Sequence, residues 1–308
     1  MLLGGDLGGT KTLLALAEID DGRLRIIRRQ RYASRDYHRF DDLLADFIPD
    51  QPAIASACFG VAGPTDGRLA RLTYLPWQLA AGALETRFGI RRVALLNDLA
   101  ATAHGLPLVT EQDMRTLHAG QPIARAPRVM LGAGTGLGVA GLIWQDGEYR
   151  VIPGEGGHCG FSPQTPEQGE LGRWLLARQG RVTIEDVVSG PGLARIHAFL
   201  GGAAQTPEAI GLAALNGNDP LARAALRLWL ECLGAFAGDL ALHWLARGGV
   251  YLAGGLVAGL LPQLDPGPFI QAFLAKREHR ELVAAMPVHV LICEDLGLFG
   301  ALAHAATL

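Results

Sequence analysis

The strongest constraint on this chain's fold is a supersecondary unit that occurs twice. An apolar run at Leu2–Leu7 meets the glycine turn Gly8-Gly9-Thr10, then a run at Thr12–Ile19, the tight turn Asp20-Asp21-Gly22 and a third run at Leu24–Tyr32. About 125 residues later the order returns: Val129–Leu131, a glycine turn from Gly132 to Gly136, Leu137–Trp144, the turn Asp146-Gly147, and Tyr149–Ile152. Two copies of a whole unit predict two related lobes facing each other. Around them the pattern reads as α/β. A helix at Phe40–Phe47, a buried strand at Ile54–Val61, a helix at Leu79–Phe88 and a strand at Val93–Leu96 lead to a helix beginning at Leu99. Pro107, Gly120, Pro122 and Pro127 break the pattern between Gly105 and Pro127, and the domain junction is placed near the start of that stretch. Helical segments follow at Leu171–Arg178, Pro191–Leu200, Pro207–Leu215 and Leu221–Ala246. A strand at Val250–Ala253, the turn Gly254-Gly255, a strand at Val288–Cys293 and a short C-terminal helix complete the reading.

Composition narrows the class. Forty-nine per cent of the 308 residues are hydrophobic and 19% are charged, enough for real cores and too apolar for disorder. The net charge of −3 offers no basic field for nucleic acid or an anionic membrane. Cys58, Cys159, Cys232 and Cys293 show no CxxC spacing, against both a disulfide framework and a structural zinc site. The start of the chain lacks a basic signal-peptide region. Glu231, Asp239 and His243 interrupt the apolar stretch Trp229–Ala246, which reads as a buried helix, so a cytoplasmic protein is expected.

Forty-one glycines must then sit in turns and ligand-hugging loops. In the first loop, Gly5, Asp6, Gly8, Gly9 and Thr10, adjacent glycines let backbone amides converge on an anion. Asp6 would repel a bare phosphate and makes sense with a divalent cation between them; an ordinary hairpin turn with an exposed acid is the other reading. A P-loop is excluded, because Thr10 holds its second glycine position and a strand follows. The second loop, Gly132, Gly134, Thr135, Gly136 and Gly138, contains a G-x-G-x-x-G match through Gly141, with Glu155 beyond it as a dinucleotide site would need. That motif should open a helix, whereas Val139–Trp144 reads as a hairpin arm. Gly254 and Gly255 form a third glycine turn at a strand's carboxyl end, either near a ligand or simply where the next helix packs closely.

The polar candidates have two readings each. Asn97 and Asp98 stand where a buried strand meets a helix, and either could be an N-cap. Glu155 and His158 are framed by three glycines and could fold inward on a polar ligand or lie in a solvated loop. Thr183-Ile-Glu-Asp186 reads as a helix start with a capping box, which would make Glu185 a structural residue at a helix N-terminus.

In order and spacing, Asp6-Leu-Gly-Gly-Thr, Leu95-Leu-Asn-Asp98, Gly132-Ala-Gly-Thr-Gly-Leu-Gly, Gly154-Glu-Gly-Gly-His and Ser189-Gly-Pro-Gly192 resemble the bacterial glucokinases. The match is to the ATP-dependent type outside the ROK group and spans essentially the whole chain. ROK kinases carry a zinc-binding cysteine cluster, whereas only Cys159 follows His158 here, and no room is expected for the DNA-binding extension of ROK repressors. The resemblance implies a two-lobed actin-like, ribonuclease-H-like α/β fold. Residues 1–108 would form the small lobe, rejoined by the C-terminal helix at 295–308, and residues 109–294 the large lobe. It implies phosphorylation of glucose at the 6-hydroxyl with ATP and Mg2+ in a homodimeric enzyme. A kinase for a related hexose, or a non-catalytic sugar-binding regulator, is the alternative.

By the same resemblance Asp98 is the general base, and Asn97, Asp98, Glu155, His158 and Glu185 bind the sugar. Gly5, Asp6, Gly8, Gly9 and Thr10, with Gly132, Gly134, Thr135, Gly136 and Gly138, clamp the phosphates. Asp6 holds Mg2+ directly or through water, and Gly254 and Gly255 lie near adenosine. Two departures from the family pattern, Tyr74 in place of an amide and Gly160 in place of an acid, bear on sugar selectivity more than on reaction class.

Overall fold

The computed structural model describes residues 1–21, 23–50, 53–217 and 219–308; Gly22 of the expected first hairpin turn lies outside the described residues. The chain divides into two compact units, Met1–Val109 with Glu294–Leu308, and Thr110–Cys293.

In the first unit, the strands are β1 (Leu2–Leu7), β2 (Lys11–Asp20), β3 (Arg23–Ala33), β4 (Ser56–Val61), β5 (Leu69–Arg71), β6 (Gln78–Ala80) and β7 (Arg92–Asn97). Helices α1 (Phe40–Phe47), α2 (Ala81–Phe88) and α3 (Asp98–Gly105) lie among them, and the C-terminal helix Leu296–Ala305 returns to the same unit. Five strands form one sheet in the order β3-β2-β1-β4-β7, with β1, β4 and β7 mutually parallel. The expected helix at Leu79 begins two residues later, because Gln78–Ala80 pairs with β5 instead.

Each sheet face is covered differently. Leu3, Leu14 and Phe59 belong to the same core as Phe40, Leu43 and Phe47 of α1, Leu84 and Phe88 of α2, and Trp77. On the other face Leu2, Leu13, Ala15 and Ala17 pack on Leu298 and Leu302 of the C-terminal helix. Small residues set the closeness of this second layer. A Cβ on Gly60 would stand 2.7 Å from the Cβ of Ala101, and one on Gly300 would stand 1.8 Å from the Ala101 carbonyl oxygen. Helix α3 and the C-terminal helix therefore touch through their backbones.

The second unit holds β8 (Met114–His118), β9 (Arg128–Ala133), β10 (Leu137–Gln145) and β11 (Glu148–Gly154), followed by α4 (Pro166–Gln179), α5 (Gly190–Phe199), α6 (Pro207–Leu215) and α7 (Pro220–Trp244). After these come β12 (Val250–Ala253), α8 (Gly255–Leu260), α9 (Gly267–Leu274), α10 (Arg280–Ala284) and β13 (Val288–Leu291). The sheet order is β11-β10-β9-β12-β13-β8. Strand β8 corrects the reading of Gly105–Pro127 as patternless: its Met-Arg-Thr-Leu-His does not alternate and none of it is buried, and it pairs antiparallel with β13 at the sheet edge. The core joins Val129, Leu131 and Val139 to Trp229 and Leu233 of α7 and to Phe269 and Phe273 of α9. Val139–Trp144 is a strand antiparallel to both β9 and β11, so the G-x-G-x-x-G match opens no helix. Among the described residues, no helix is long and apolar enough to cross a membrane.

Candidate functional site

In the first unit the chemistry-bearing residues gather at the carboxyl ends of parallel strands, where α/β folds bind ligands. Asp6 is the penultimate residue of β1, paired across the sheet with Leu13 and Gly60. The turn after it is buttressed from outside the motif. Gly8 N–H donates to the Lys11 carbonyl (3.0 Å), Ser34 N–H donates to the Thr10 carbonyl (3.1 Å), and Ser34 Oγ donates to the Gly8 carbonyl (2.7 Å). Ser34 is wholly buried and also bonds Thr12 Oγ1 at 2.9 Å. Gly5 is the exception among the expected loop residues. It lies inside β1, where a Cβ would stand 2.6 Å from the Phe59 ring, so its smallness serves the core rather than the turn.

Asn97 ends β7 and caps α3, and Asp98 is the first helical residue. The Leu99 N–H is shared between Asn97 Oδ1 (3.0 Å) and Asp98 Oδ1 (2.8 Å). Asp98 is exposed, and its charge acts on Asp6. Burial first, then Asp98, and to a smaller degree Asp295, push the Asp6 carboxyl up to about 6, against the opposing pull of Lys11. Asp6 is thus a carboxylate whose charge is disfavoured first by burial and then by like charge. Among the described residues, no three His, Cys, Asp or Glu side chains converge closely enough to hold a metal alone. Such a setting suits a cation that takes one protein carboxylate and completes its shell with water and phosphate oxygens, as Mg2+ does.

The second unit builds its turn from backbone contacts. Gly132 lies within β9 and pairs with Gly138 of β10, and Gly134, Thr135 and Gly136 make the reversal, closed by Gly134 N–H to the Gly136 carbonyl at 2.9 Å. Glu185 Oε2 accepts from Leu137 N–H at 2.7 Å, and Gly190 N–H, at the start of α5, donates to the Gly134 carbonyl at 2.8 Å. Gly254 must be glycine: its φ is +107°, and a Cβ there would lie 2.2 Å from the Ala133 carbonyl oxygen. By contrast, a Cβ on Gly134 or Gly255 would meet nothing within 4 Å. The turn is walled on the protein side and open on the other, the shape an anion cradle requires.

Glu155 and His158 bracket a short 3-10 turn, with His158 Nε2 3.9 Å from Glu155 Oε2 and both side chains exposed. The turn is tied to Glu185, whose N–H donates to the Gly157 carbonyl at 2.9 Å, and to Arg181, which donates to the His158 carbonyl at 3.0 Å. The structure therefore brings Glu155, His158, Glu185 and the Gly134–Gly136 turn into one hydrogen-bonded assembly. The expected helix at Thr183 is a correction. Thr183 and Asp186 do exchange the capping-box bonds, at 2.8 and 3.4 Å, but the backbone makes only turns until α5 begins at Gly190. Glu185 gets its place from the Leu137 amide, not from a helix dipole.

Three contributors escaped the sequence reading. Ser34 braces the first turn from a position 24 residues beyond Thr10 and carries no local signal. Lys11 and Asp295 both act on Asp6. Asp295 had a usable signal, since Glu294-Asp295-Leu296-Gly297 places an acid where a helix begins, as Asn97-Asp98 does.

The chain matches the family model described as Glucokinase over residues 3–308. It is 38% identical to the glucokinase of Nostoc sp. (strain PCC 7120), covering 100% of this chain and 99% of that protein. It belongs to the glucokinase family. Among solved structures, glucokinase from an Antarctic psychrotroph superposes with a TM-score of 0.89 at 27% identity, covering 100% of this chain and 99% of the other. Glucokinase from Balamuthia mandrillaris, solved in complex with glucose, follows at 0.85 and 24%, covering 99% and 93%. The fold is the two-part actin-like one of these sugar kinases. As a glucokinase-family member the chain is a hexose kinase, an ATP-dependent phosphotransferase with an alcohol acceptor.

Proposed function

We propose that this glucokinase-family chain transfers the terminal phosphoryl group of ATP to the 6-hydroxyl of glucose, with Asp98 as the general base and Mg2+ as the metal. The observation that carries this reading is the setting of Asp98: an exposed carboxylate at the carboxyl end of a parallel strand, electrostatically coupled to Asp6 at the end of another. The unit Met1–Val109 with Glu294–Leu308 corresponds to the family's small lobe, and Thr110–Cys293 to its large lobe.

Phosphoryl transfer asks the protein for positioning and charge stabilisation more than for covalent chemistry. Asp98 accepts the proton of the sugar hydroxyl, while Asn97, Glu155, His158 and Glu185 orient the sugar. Gly8, Gly9 and Thr10, and Gly134, Thr135 and Gly136, supply the backbone cradles for phosphate oxygens, with Gly254 and Gly255 near the nucleoside. ATP supplies the phosphoryl group; Asp6 would hold Mg2+ directly or through water, and the ion when bound would supply positive charge to offset that of the terminal phosphates.

Asp98→Asn keeps the size of the side chain and removes the base. Its kcat should fall roughly 10²–10⁴-fold. Glucose affinity, read by calorimetry, should stay within a few-fold of the wild type. A near-normal kcat in a coupled ADP-release assay would take the role away from Asp98. Running the same assay on mannose, glucosamine and fructose sets the sugar preference.

A further inference from the structure

We propose that Arg29 is a positioning residue for the phosphoryl-transfer site: by holding Asp295 it fixes the first turn of the C-terminal helix against the Asp6 carboxylate. The kinetic part of this proposal rests on the reaction assigned above; the structural part does not.

Four observations combine. First, Asp295 occupies the N-cap position of the C-terminal helix yet makes no side-chain bond to it. An aspartate there ordinarily accepts from the second or third helical N–H. Here its carboxylate is turned away, 2.5 Å from Arg29 Nη2, with 21% of the side chain exposed. Second, the sheet register aims Arg29 at that helix. Gly4, Ala15 and Arg29 form one cross-strand row, and Asp6, Leu13 and Arg31 form the next, on the face that Leu298 and Leu302 cover. Leu302 fills the space over Gly4, where a Cβ would stand 2.5 Å from its Cγ, and Arg29 meets the start of the same helix from β3.

Third, the first turn reaches the site. A Cβ added to Gly297 would lie 3.3 Å from the Asp6 carboxyl and 3.5 Å from Thr102 Oγ1 of α3, the helix that carries Asp98. A shift of this turn by one ångström would therefore change the wall against which Asp6 rests. Fourth, the buried Leu296 and Leu298 hold the turn from its inner side, and its outer side is open. A cavity of about 410 Å³ opens there, lined by Leu13, Arg29, Gln30, Arg31, Glu294 and Asp295. The chain enters this unit only at Glu294, one residue earlier. Exposed ion pairs usually contribute little to stability. This one acts by geometry, as a tie on a helix end that has given up its own cap.

The test compares Arg29→Gln, Arg29→Lys, Asp295→Asn and the double variant Arg29→Gln/Asp295→Asn. Expected for Arg29→Gln is a fall in kcat of at least fivefold with the glucose KM within twofold, and recovery of most of the loss in Arg29→Lys. The double variant should be no slower than Arg29→Gln, because both act through one tie. Hydrogen exchange in the protein without substrates should speed up at amides 299–301, the first ones bonded within the helix (Phe299 N–H donates to the Asp295 carbonyl at 3.0 Å), in Arg29→Gln and in Asp295→Asn, while β1 and β4 stay protected. Unchanged exchange at those amides, or kinetic constants within twofold of the wild type, overturns the proposal. So does an Arg29→Lys variant as slow as Arg29→Gln. If the wild type itself fails to phosphorylate glucose, the assigned reaction fails, and the exchange measurement still decides whether Arg29 holds the turn.

Discussion

Replacing His104 by phenylalanine should flatten the acid side of the protein's stability profile. His104 and His304 stand in the last turns of α3 and the C-terminal helix, their ring centroids 4.4 Å apart. Burial, reinforced by the neighbouring ring of His304, lowers His104 from 6.5 to about 4, and burial lowers His304 as well. A depressed folded value means that the unfolded imidazole takes its proton first as pH falls. The contribution of His104 is therefore intact above 7 and is lost between 6.5 and 4. At pH 5 the unfolded ring is almost fully protonated and the native ring about one-tenth, a penalty of about 2 kcal/mol. Urea unfolding at pH 7.5 and pH 5.0 measures it. His104→Phe should lose about 2 kcal/mol less than the wild type between the two. Asp6, raised to about 6, works in the opposite direction, gaining stability as pH falls through 6, but it is common to both proteins and cancels. Parallel losses in wild type and variant would show that the ring is already charged in the native state, contrary to its burial.

Two further positions, Gly300 and Glu185, test the contacts that place the site. Gly300→Ala sets a methyl carbon 1.8 Å from the Ala101 carbonyl and 2.6 Å from the Gly105 amide, backbone on both sides. It should cost about 3 kcal/mol or abolish soluble expression, whereas Gly259→Ala, with open space around it, should fold normally in the same urea assay. Glu185→Ala leaves the Leu137 N–H without its acceptor and should cost about 1–3 kcal/mol. Glu185→Gln keeps an acceptor oxygen and should recover most of that in denaturant melts; equal losses in the two would mean that the bond does not hold the turn.

The parts of the fold legible in the sequence are those carried by local pattern. Phe40–Phe47, Pro207–Leu215 and Val250–Ala253 fall where apolar spacing puts them, and both glycine hairpins appear with their turns in place. Strand β8 was not legible because an edge strand buries too little to show an apolar face; its existence depends on β13, some 170 residues away. The Thr183–Asp186 segment misled for a related reason. Capping-box residues satisfy the same amides in a turn as in a helix, and tertiary bonds from Glu185 to Leu137 and Gly157 decide between them. Motif spacing flagged both glycine turns and the Asn97-Asp98 pair. It could not reveal Ser34 or the Arg29–Asp295 tie, which join residues that only the folded sheet brings together.

The C-terminal helix has a consequence for synthesis on the ribosome. Its Leu298 and Leu302 cover the face of the first sheet formed by Leu2, Leu13, Ala15 and Ala17, yet the whole of Thr110–Cys293 is translated in between. At about 5–20 residues per second, that face waits roughly 10–40 s without its cover. The nascent amino-terminal segment is therefore an apolar, half-finished sheet while those residues are made, and chaperone demand should fall sharply only when the helix Leu296–Ala305 clears the exit tunnel.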